Sequence, residues 1–226
     1  MCPIQVKIVR LENNLFYDKQ LMLHYKIEYP QFYSNNFQNT LTKINYIYKR
    51  NALGVIRECV DNFFKIAINY YIISMKMDIP IRIFEIYYIP AITYNENCAL
   101  SLFYDKYLYA GGAHGITQRT SDTWDIISGK ELNICDMFVN SRLNHFEYIK
   151  QNIINQISEN LESEEFCYFE NYRENILINF NENNFYLIPE GIKIYFQLYE
   201  IAPYAAGIPE FLIPFTAGIT NEPDCR

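Results

Sequence analysis

The chain reads as an α+β protein in which antiparallel sheet carries two main helices packed on it. Three observations predict this class. Segments alternating apolar and polar residues bracket two longer segments whose apolar residues recur every three or four positions. Half of the 226 residues are hydrophobic, with 21 Tyr and 16 Phe, a composition that favours strands and large aromatic contacts. The order is strands, long helix, strands, helix, strands, with no internal repeat, so helices pack on a sheet and do not alternate with its strands.

Ile4 to Arg10 is predicted to be a short strand, and Asn13-Asn14 a turn. From Leu21 to Tyr29 the alternation is clean. Leu21, Leu23, Tyr25, Ile27 and Tyr29 point one way, and Met22, His24, Lys26 and Glu28 the other, as in a half-buried strand. Pro30 is expected to end it by removing a ladder donor. Thr40 or Thr42 then caps a helix. Its buried stripe is Ile44, Tyr48, Ile56, Val60, Phe63, Phe64, Ala67, Tyr71 and Met75, Gly54 bends or divides it, and Asp78 to Pro80 closes it. Ile81 to Ile89 is strand-like with Pro90 after it, Tyr94 to Asn97 reads as a hairpin turn, and Leu100, Leu102 and Tyr104 mark the next strand.

Strands are expected over Cys98 to Tyr109 and Ile116 to Ile127. Between them stands Tyr109-Ala110-Gly111-Gly112-Ala113-His114-Gly115, with three of the chain's 8 glycines. Glycine is used where φ is positive or where other atoms leave no room for a Cβ, so this stretch is expected to be a sharp corner or bulge. The only tryptophan, Trp124, lies on the strand that follows, and Ser128-Gly129-Lys130 is a tight turn. Asn140 or Ser141 starts a second helix with Phe146, Ile149, Ile153, Ile157 and Leu161 inward, and Glu162 to Asn184 is mostly loop with a short helical turn. Tyr186 to Ile188 and Ile192 to Glu200 form a hairpin around Pro189-Glu190-Gly191, read as a type II turn with glycine at the positive-φ place. Ile192, Ile194, Phe196, Leu198 and Glu200 share one face. Ile201 to Gly207 interrupts the strand before Phe211 to Phe215 resumes it, and the polar tail from Asn221 is expected to fray.

The formal net charge is −7, and Lys49-Arg50 is an isolated basic pair, which argues against a nucleic-acid interface and for a basic partner. Cys2, Cys59, Cys98, Cys135, Cys167 and Cys225 are scattered without a C-x-x-C pair, so buried or incidental thiols are expected in place of a disulfide framework or a metal site. The N-terminus lacks a signal pattern, and no apolar run approaches the roughly 20 residues that span a bilayer, which leads to the expectation of a soluble, cytoplasmic protein.

Tyr109 to Gly115, Trp124-Asp125, Ser128-Gly129-Lys130 and Asp136-Met137-Phe138 follow one another closely. Pro189-Glu190-Gly191-Ile192 and Tyr199-Glu200-Ile201-Ala202-Pro203-Tyr204-Ala205-Ala206-Gly207 come later. In that order they resemble the extracytoplasmic domain of RsiV-type anti-sigma factors, and the same module is similar to the N-terminal region of the peptidoglycan deacetylase PdaC. The likeness covers roughly Ile4 to Pro214. It implies one RsiV-like unit over 1–226, with two subdomains, a PdaC/RsiV-type half at 4–110 and an RsiV-type half at 111–218. It also implies a non-catalytic recognition module that binds lysozyme or another cell-wall-related protein. Departures from the anti-sigma plan are expected in the sigma-binding segment and the transmembrane helix, and from the PdaC plan in the deacetylase domain, none of which is read in these 226 residues.

His114 has the chemistry of an acid, a base or a ligand. The three histidines, His24, His114 and His145, nevertheless fall on unrelated predicted elements, and neither a zinc-ligand spacing nor G-x-S-x-G occurs. His114 is therefore expected to bond a carbonyl at the corner, and no catalytic residue, metal ligand or cofactor is assigned. Glu164-Glu165 and Asp122/Asp125 read as solvated carboxylates, and the glycine stretch lacks a P-loop lysine. The expected partner-binding residues are Gly111, Gly112, His114, Pro203, Tyr204 and Ala205, with Tyr204 as aromatic anchor. Two alternatives are a small cell-wall or peptide hydrolase using His114, and a cytoplasmic structural protein that kept the fold without the sensor role.

Overall fold

The computed structural model describes residues 4–139, 145–162 and 167–225. Its strands are β1 (Gln5–Tyr17), β2 (Gln20–Tyr33), β3 (Phe84–Glu96), β4 (Ala99–Tyr109), β5 (Ile116–Asp125), β6 (Lys130–Glu131), β7 (Phe185–Ile188), β8 (Gly191–Tyr195) and β9 (Glu210–Pro214). Its helices are α1 (Gln38–Glu58), α2 (Phe64–Met77), α3 (His145–Glu162) and α4 (Tyr172–Asn179). Hydrogen bonding orders one sheet β1-β2-β3-β4-β5-β6 and a second β7-β8-β9. The α+β class stands. Within it β2 and β3 pair in parallel, which requires a long crossover, and α1 and α2 provide it. By packing, the chain divides into two compact units: an N-terminal one of Ile4–Ala91 with Tyr104–Arg119, and a C-terminal one of Ile92–Phe103 with Thr120–Arg226.

In the N-terminal unit the first turn is not Asn13-Asn14. Those residues pair with Tyr25 and His24 inside β1–β2, and the chain reverses at Asp18-Lys19. Both turn residues have positive φ, 47° and 64°, the backbone of a two-residue hairpin turn whose twist matches its strands. Pro30 does not end β2, nor Pro90 β3. The β2–β3 pairing covers only Leu23–Ile27 and Phe84–Tyr88, so each proline lies beyond it and forfeits no bond there. The alternation of β2 holds only from Leu23 to Ile27, where Leu23, Tyr25 and Ile27 are buried between the half-buried His24 and Lys26; Met22 and Glu28, expected on the open face, are buried as well, and Leu21 is half-buried.

The helix begins at Gln38 with Phe37 at its N-cap and no side-chain cap; the Thr42 hydroxyl donates instead to the Gln38 carbonyl (2.7 Å). Gly54 does not break it. The irregularity is a π-helical turn at Cys59–Phe63 between α1 and α2. A π turn inserts a residue and rotates the face that follows. Hence Cys59, Ala67 and Ser74 are buried, whereas Val60 and Met75 of the expected stripe face solvent. Leu41, Ile44, Tyr48 and Ala52 complete the inward face, and Tyr104 stacks on Tyr88 with centroids 4.2 Å apart. The Asn45 amide accepts from the Phe32 N–H (2.8 Å) and donates to the Phe32 carbonyl (2.9 Å), tying α1 to β2.

The corner at 110–115 joins β4 to β5 as expected, with its glycines used differently. Gly111 has φ 83°, and a Cβ there would stand 3.3 Å from the Arg82 Cβ. At Gly115 the Tyr107 ring occupies the place a Cβ would take. Gly112 has neither restriction, its nearest neighbour being the His114 carbonyl at 3.8 Å, so the backbone reason for the corner rests on the other two.

The C-terminal unit buries Ile149, Ile153 and Ile157 of α3 with Phe185, Leu187, Ile192, Ile194, Phe196, Phe211 and Ile213. Phe146 is half-buried against Phe180 (centroids 4.9 Å), whereas Leu161 is exposed. The expected start at Asn140 or Ser141 lies outside the described residues. In the region read as mostly loop, α4 is the short helix. The β3–β4 reversal falls at Asn97-Cys98, one residue past the expected turn, with φ 49° and 58°. The β7–β8 turn is Pro189-Glu190, and Gly191 is already the first residue of β8, paired with Ile188. Glycine is needed there because β9 passes too close: a Cβ would meet the Ile213 carbonyl and stand 2.8 Å from the Pro214 Cα.

The edges of the three-stranded sheet are closed by side chains. Ser101, fully buried, accepts from the Leu187 N–H (2.9 Å) and bonds the Thr123 hydroxyl (2.7 Å). Gln156 accepts from the Leu212 N–H (3.1 Å) and donates to its carbonyl (2.9 Å). The tail, expected to fray, is tied at Asn221 and at Cys225. Val139 N–H bonds the Ile219 carbonyl (3.0 Å), Asn221 N–H the Met137 carbonyl (2.8 Å), and Cys225 forms a disulfide with Cys98. The expectation of unpaired thiols fails for this pair because tail pairing brings their Cα atoms to 5.1 Å, which spacing in the chain does not reveal.

Three substitutions test these contacts. Ser101→Ala leaves a buried N–H without its acceptor and is expected to cost about 1–3 kcal/mol in urea unfolding. Gly191→Ala, through the clash with β9, is expected to destabilise by about 1–3 kcal/mol. Gly54→Ala, with nothing within 4 Å of the new Cβ, should stabilise by about 1 kcal/mol in the same assay.

Candidate functional site

The segment from Phe196 to Gly207 leaves the end of β8, turns back, and returns the chain to β9. It is irregular because the Phe196 N–H bonds the Pro209 carbonyl (3.1 Å) and a tight turn follows, in which Glu200 N–H bonds the Gln197 carbonyl (3.2 Å). Tyr199, inside that turn, has φ 68°. A bulky residue at positive φ costs on the order of 1–3 kcal/mol, and such strain gathers where side chains are presented for a purpose. Ile201 and Ala202 are buried, and the Ile201 carbonyl accepts from the Phe169 N–H (3.0 Å), which fixes the base of the loop.

Above that base Pro203, with φ −68°, opens a 3-10 turn over Tyr204–Ala206, closed by Ala206 N–H to the Pro203 carbonyl (2.9 Å) and Gly207 N–H to the Tyr204 carbonyl (3.0 Å). Ala205 is exposed, and Pro203 and Tyr204 are half-buried. The Tyr204 ring lies 5.8 Å from the ring of Tyr199, which is 49% exposed, at an interplanar angle of 32°. The loop thus shows a paired aromatic surface on a short, hydrogen-bonded frame.

Beneath it, the Glu200 carboxylate accepts from the Gln197 N–H (2.6 Å), and the Asn179 amide donates to the Glu200 carbonyl (3.1 Å). Burial lifts the Glu200 carboxyl above its ordinary value, against the lowering effect of that N–H. Tyr199 and Glu200 belong to the site although the sequence singles out neither for binding. A left-handed tyrosine has no signature in the chain, and Glu200 reads as one more strand residue.

Gly111, Gly112 and His114 belong to the N-terminal unit, and Pro203, Tyr204 and Ala205 to the C-terminal one. His114 is exposed, and its Nδ1 lies 2.8 Å from the Gly115 carbonyl, the backbone bond expected at the corner. Asp122 and Asp125 take up local roles: the Asp125 carboxylate accepts from Ile127 N–H (2.8 Å) and the Ser128 hydroxyl (2.7 Å), while the Asp122 carbonyl lies 3.4 Å from the Ser101 hydroxyl. Glu164-Glu165 lie outside the described residues. Cys59 is no ready nucleophile, since burial pushes its thiol up to about 12. Among the described residues no group of three or more His, Cys, Asp or Glu is placed to hold a metal ion, and no helix is long and apolar enough to cross a membrane. In the N-terminal unit a cleft of about 380 Å³ opens where β2 meets α1, lined by Phe32, Tyr33, Asn35, Gln38, Thr42 and Asn45 among others.

Glu200 carries a pH prediction. A carboxyl whose folded pKa is raised contributes stability that is present below its unfolded value, near 4.5, and lost as pH rises through the folded value. Glu200→Gln removes that loss, so its stability relative to the unmodified chain should improve between pH 4 and pH 7. Urea midpoints at the two pH values measure the change.

Comparison with known proteins places these elements. Residues 17–117 match the family model described as deacetylase PdaC, and residues 135–216 match that of a protein of unknown function, DUF3298. No curated protein matches. Among solved structures, a DUF3298 member from Bacteroides fragilis is 19% identical, with a TM-score of 0.69 over 97% of this chain and 94% of that one. A DUF3298 family protein from Pseudomonas aeruginosa is 16% identical, with a TM-score of 0.67 over 97% and 95%. The chain therefore combines a PdaC-like segment with a DUF3298 segment and shares the fold of these two proteins.

Proposed function

We propose that the chain is a non-catalytic recognition module for a basic protein that acts on the cell wall, a lysozyme being the first candidate, and that the C-terminal unit carries the recognition. The supporting observation is how charge divides between the units. The C-terminal unit has 18 acidic residues against 6 basic ones, a balance of −12, and the N-terminal unit has 8 against 13, a balance of +5; together they give the −7 of the whole chain. A unit so acidic steers a cationic partner toward itself and disfavours acidic competitors. The PdaC-like segment comes first in the chain, where the resemblance expects a PdaC/RsiV-type half, and the DUF3298 segment follows it. The Cys98–Cys225 disulfide suits an oxidising compartment, where such partners occur.

On this reading Tyr204 and Tyr199 are the aromatic anchors, Pro203 sets the entry of the loop, and Ala205 leaves room for close approach. Gly111 turns the chain, and His114 bonds within its own loop.

Calorimetric titration with a C-type lysozyme at physiological salt tests the proposal. A dissociation constant well below about 100 μM is expected, and no binding at that concentration overturns it. Tyr204→Ala should weaken the complex by roughly 2 kcal/mol or more while leaving the melting temperature unchanged. If that variant unfolds, Tyr204 is a packing residue and not an anchor.

A further inference from the structure

The long helical crossover of the N-terminal unit has a solvent face of unusual composition. From Gln38 to Met77 the helix runs about 60 Å, at about 1.5 Å per residue. Lys43, Lys49, Arg50, Arg57, Lys65 and Lys76 are all exposed along it. The same stretch holds only two acidic residues, and one of them, Glu58, is held by Lys106 at 2.6 Å. Between the cations stand exposed apolar side chains, Tyr46, Leu53, Val60, Ile66, Ile73 and Met77, the last three at 51%, 50% and 66%. Ile72 and Met75 are exposed on the same helix, so apolar side chains reach solvent along its whole length.

We infer that this face lies on an anionic phospholipid bilayer, with the basic side chains at the headgroups and the apolar ones entering the acyl boundary. Two contrasts select that occupant. A protein interface concentrates apolar residues at its centre and polar ones at its rim, whereas here exposed cations and exposed apolar side chains are interspersed from one end of the helix to the other. A planar surface of headgroups over hydrocarbon meets both kinds at every step. A soluble polyanion would engage the cations and leave Ile66, Ile73 and Met77 in water. The helix is not apolar enough to cross, so the association is one of lying on the surface. The positive balance of the N-terminal unit favours the same contact. Bilayer contact does not depend on the identity of the protein partner, and the lysozyme titration remains valid whether or not vesicles are bound.

Sedimentation of the full chain with vesicles tests it. Equimolar phosphatidylglycerol and phosphatidylcholine are compared with phosphatidylcholine alone, at low and physiological salt. Partitioning onto the anionic vesicles should be at least about tenfold stronger. The triple variant Arg50→Glu, Arg57→Glu, Lys65→Glu should lose at least about tenfold of it. Ile66→Gln with Ile73→Gln should lose the part that survives physiological salt. All five positions are on the helix surface, and far-ultraviolet circular dichroism checks that each variant keeps its helix. Absence of binding to anionic vesicles overturns the inference. So does a glutamine variant that partitions like the unmodified chain, or full competition by inorganic polyphosphate at physiological salt, since either reduces the face to simple phosphate attraction. A dimer in sedimentation velocity that the triple variant dissociates would assign the face to a second copy and overturn the bilayer.

Discussion

A small sheet with two open edges cannot be buried unless something else bonds those edges, since an unpaired backbone N–H or carbonyl in the interior costs as much as a lost hydrogen bond. The sheet β7-β8-β9 meets this constraint with side chains. Ser101 takes the Leu187 N–H, Ser121 bonds the Phe185 carbonyl, and Gln156 takes both groups of Leu212. The rest of the C-terminal unit follows. Holding β7 requires β4 and β5 to present serines at fixed registers, and holding β9 requires α3 to turn the Gln156 side of its surface toward it. The N-terminal unit uses the same device at Asn45, whose amide bonds both backbone groups of Phe32.

That device explains what was legible in the chain and what was not. Alternation located β2 and β4, and three-to-four spacing located the helices, because both patterns record which side of an element is dry. Turns were displaced wherever hydrogen bonding overrode composition. Asn13-Asn14 looks like a reversal, yet both are paired strand residues, while Asp18-Lys19 take the left-handed backbone without a glycine to announce it. Pro30 and Pro90 look like strand ends because the chain alone does not show that β2 and β3 pair over only five positions. The π turn at Cys59–Phe63 has no sequence signal at all, and it moved Val60 out of the predicted core.

At the candidate site, Pro203 and Tyr204 were legible as a rigid dipeptide between strong strands. Tyr199 was not, since its placement depends on a turn closed by Gln197 and Glu200. The charge division was hidden for a related reason. A net −7 looks like a mildly acidic surface, and only the assignment of residues to two interleaved units resolves it into −12 and +5. A chain so divided has two different electrostatic tasks available, one per unit, where the whole-chain value suggests one.

The Cys98–Cys225 bond joins residues 127 positions apart and closes nearly the whole C-terminal unit, with the 104–119 excursion, into one covalent ring. Mechanically, tension applied between β1 and Cys225 passes along residues 4–98 and then through the sulfur bridge. Residues 99–224 lie off that load path, so a pull that unravels β1, β2 and the long helix stretches only residues 92–98 of the acidic unit and leaves β5 to β9 and the 196–207 loop unstretched. Reduction of one bond reroutes the force through all of them.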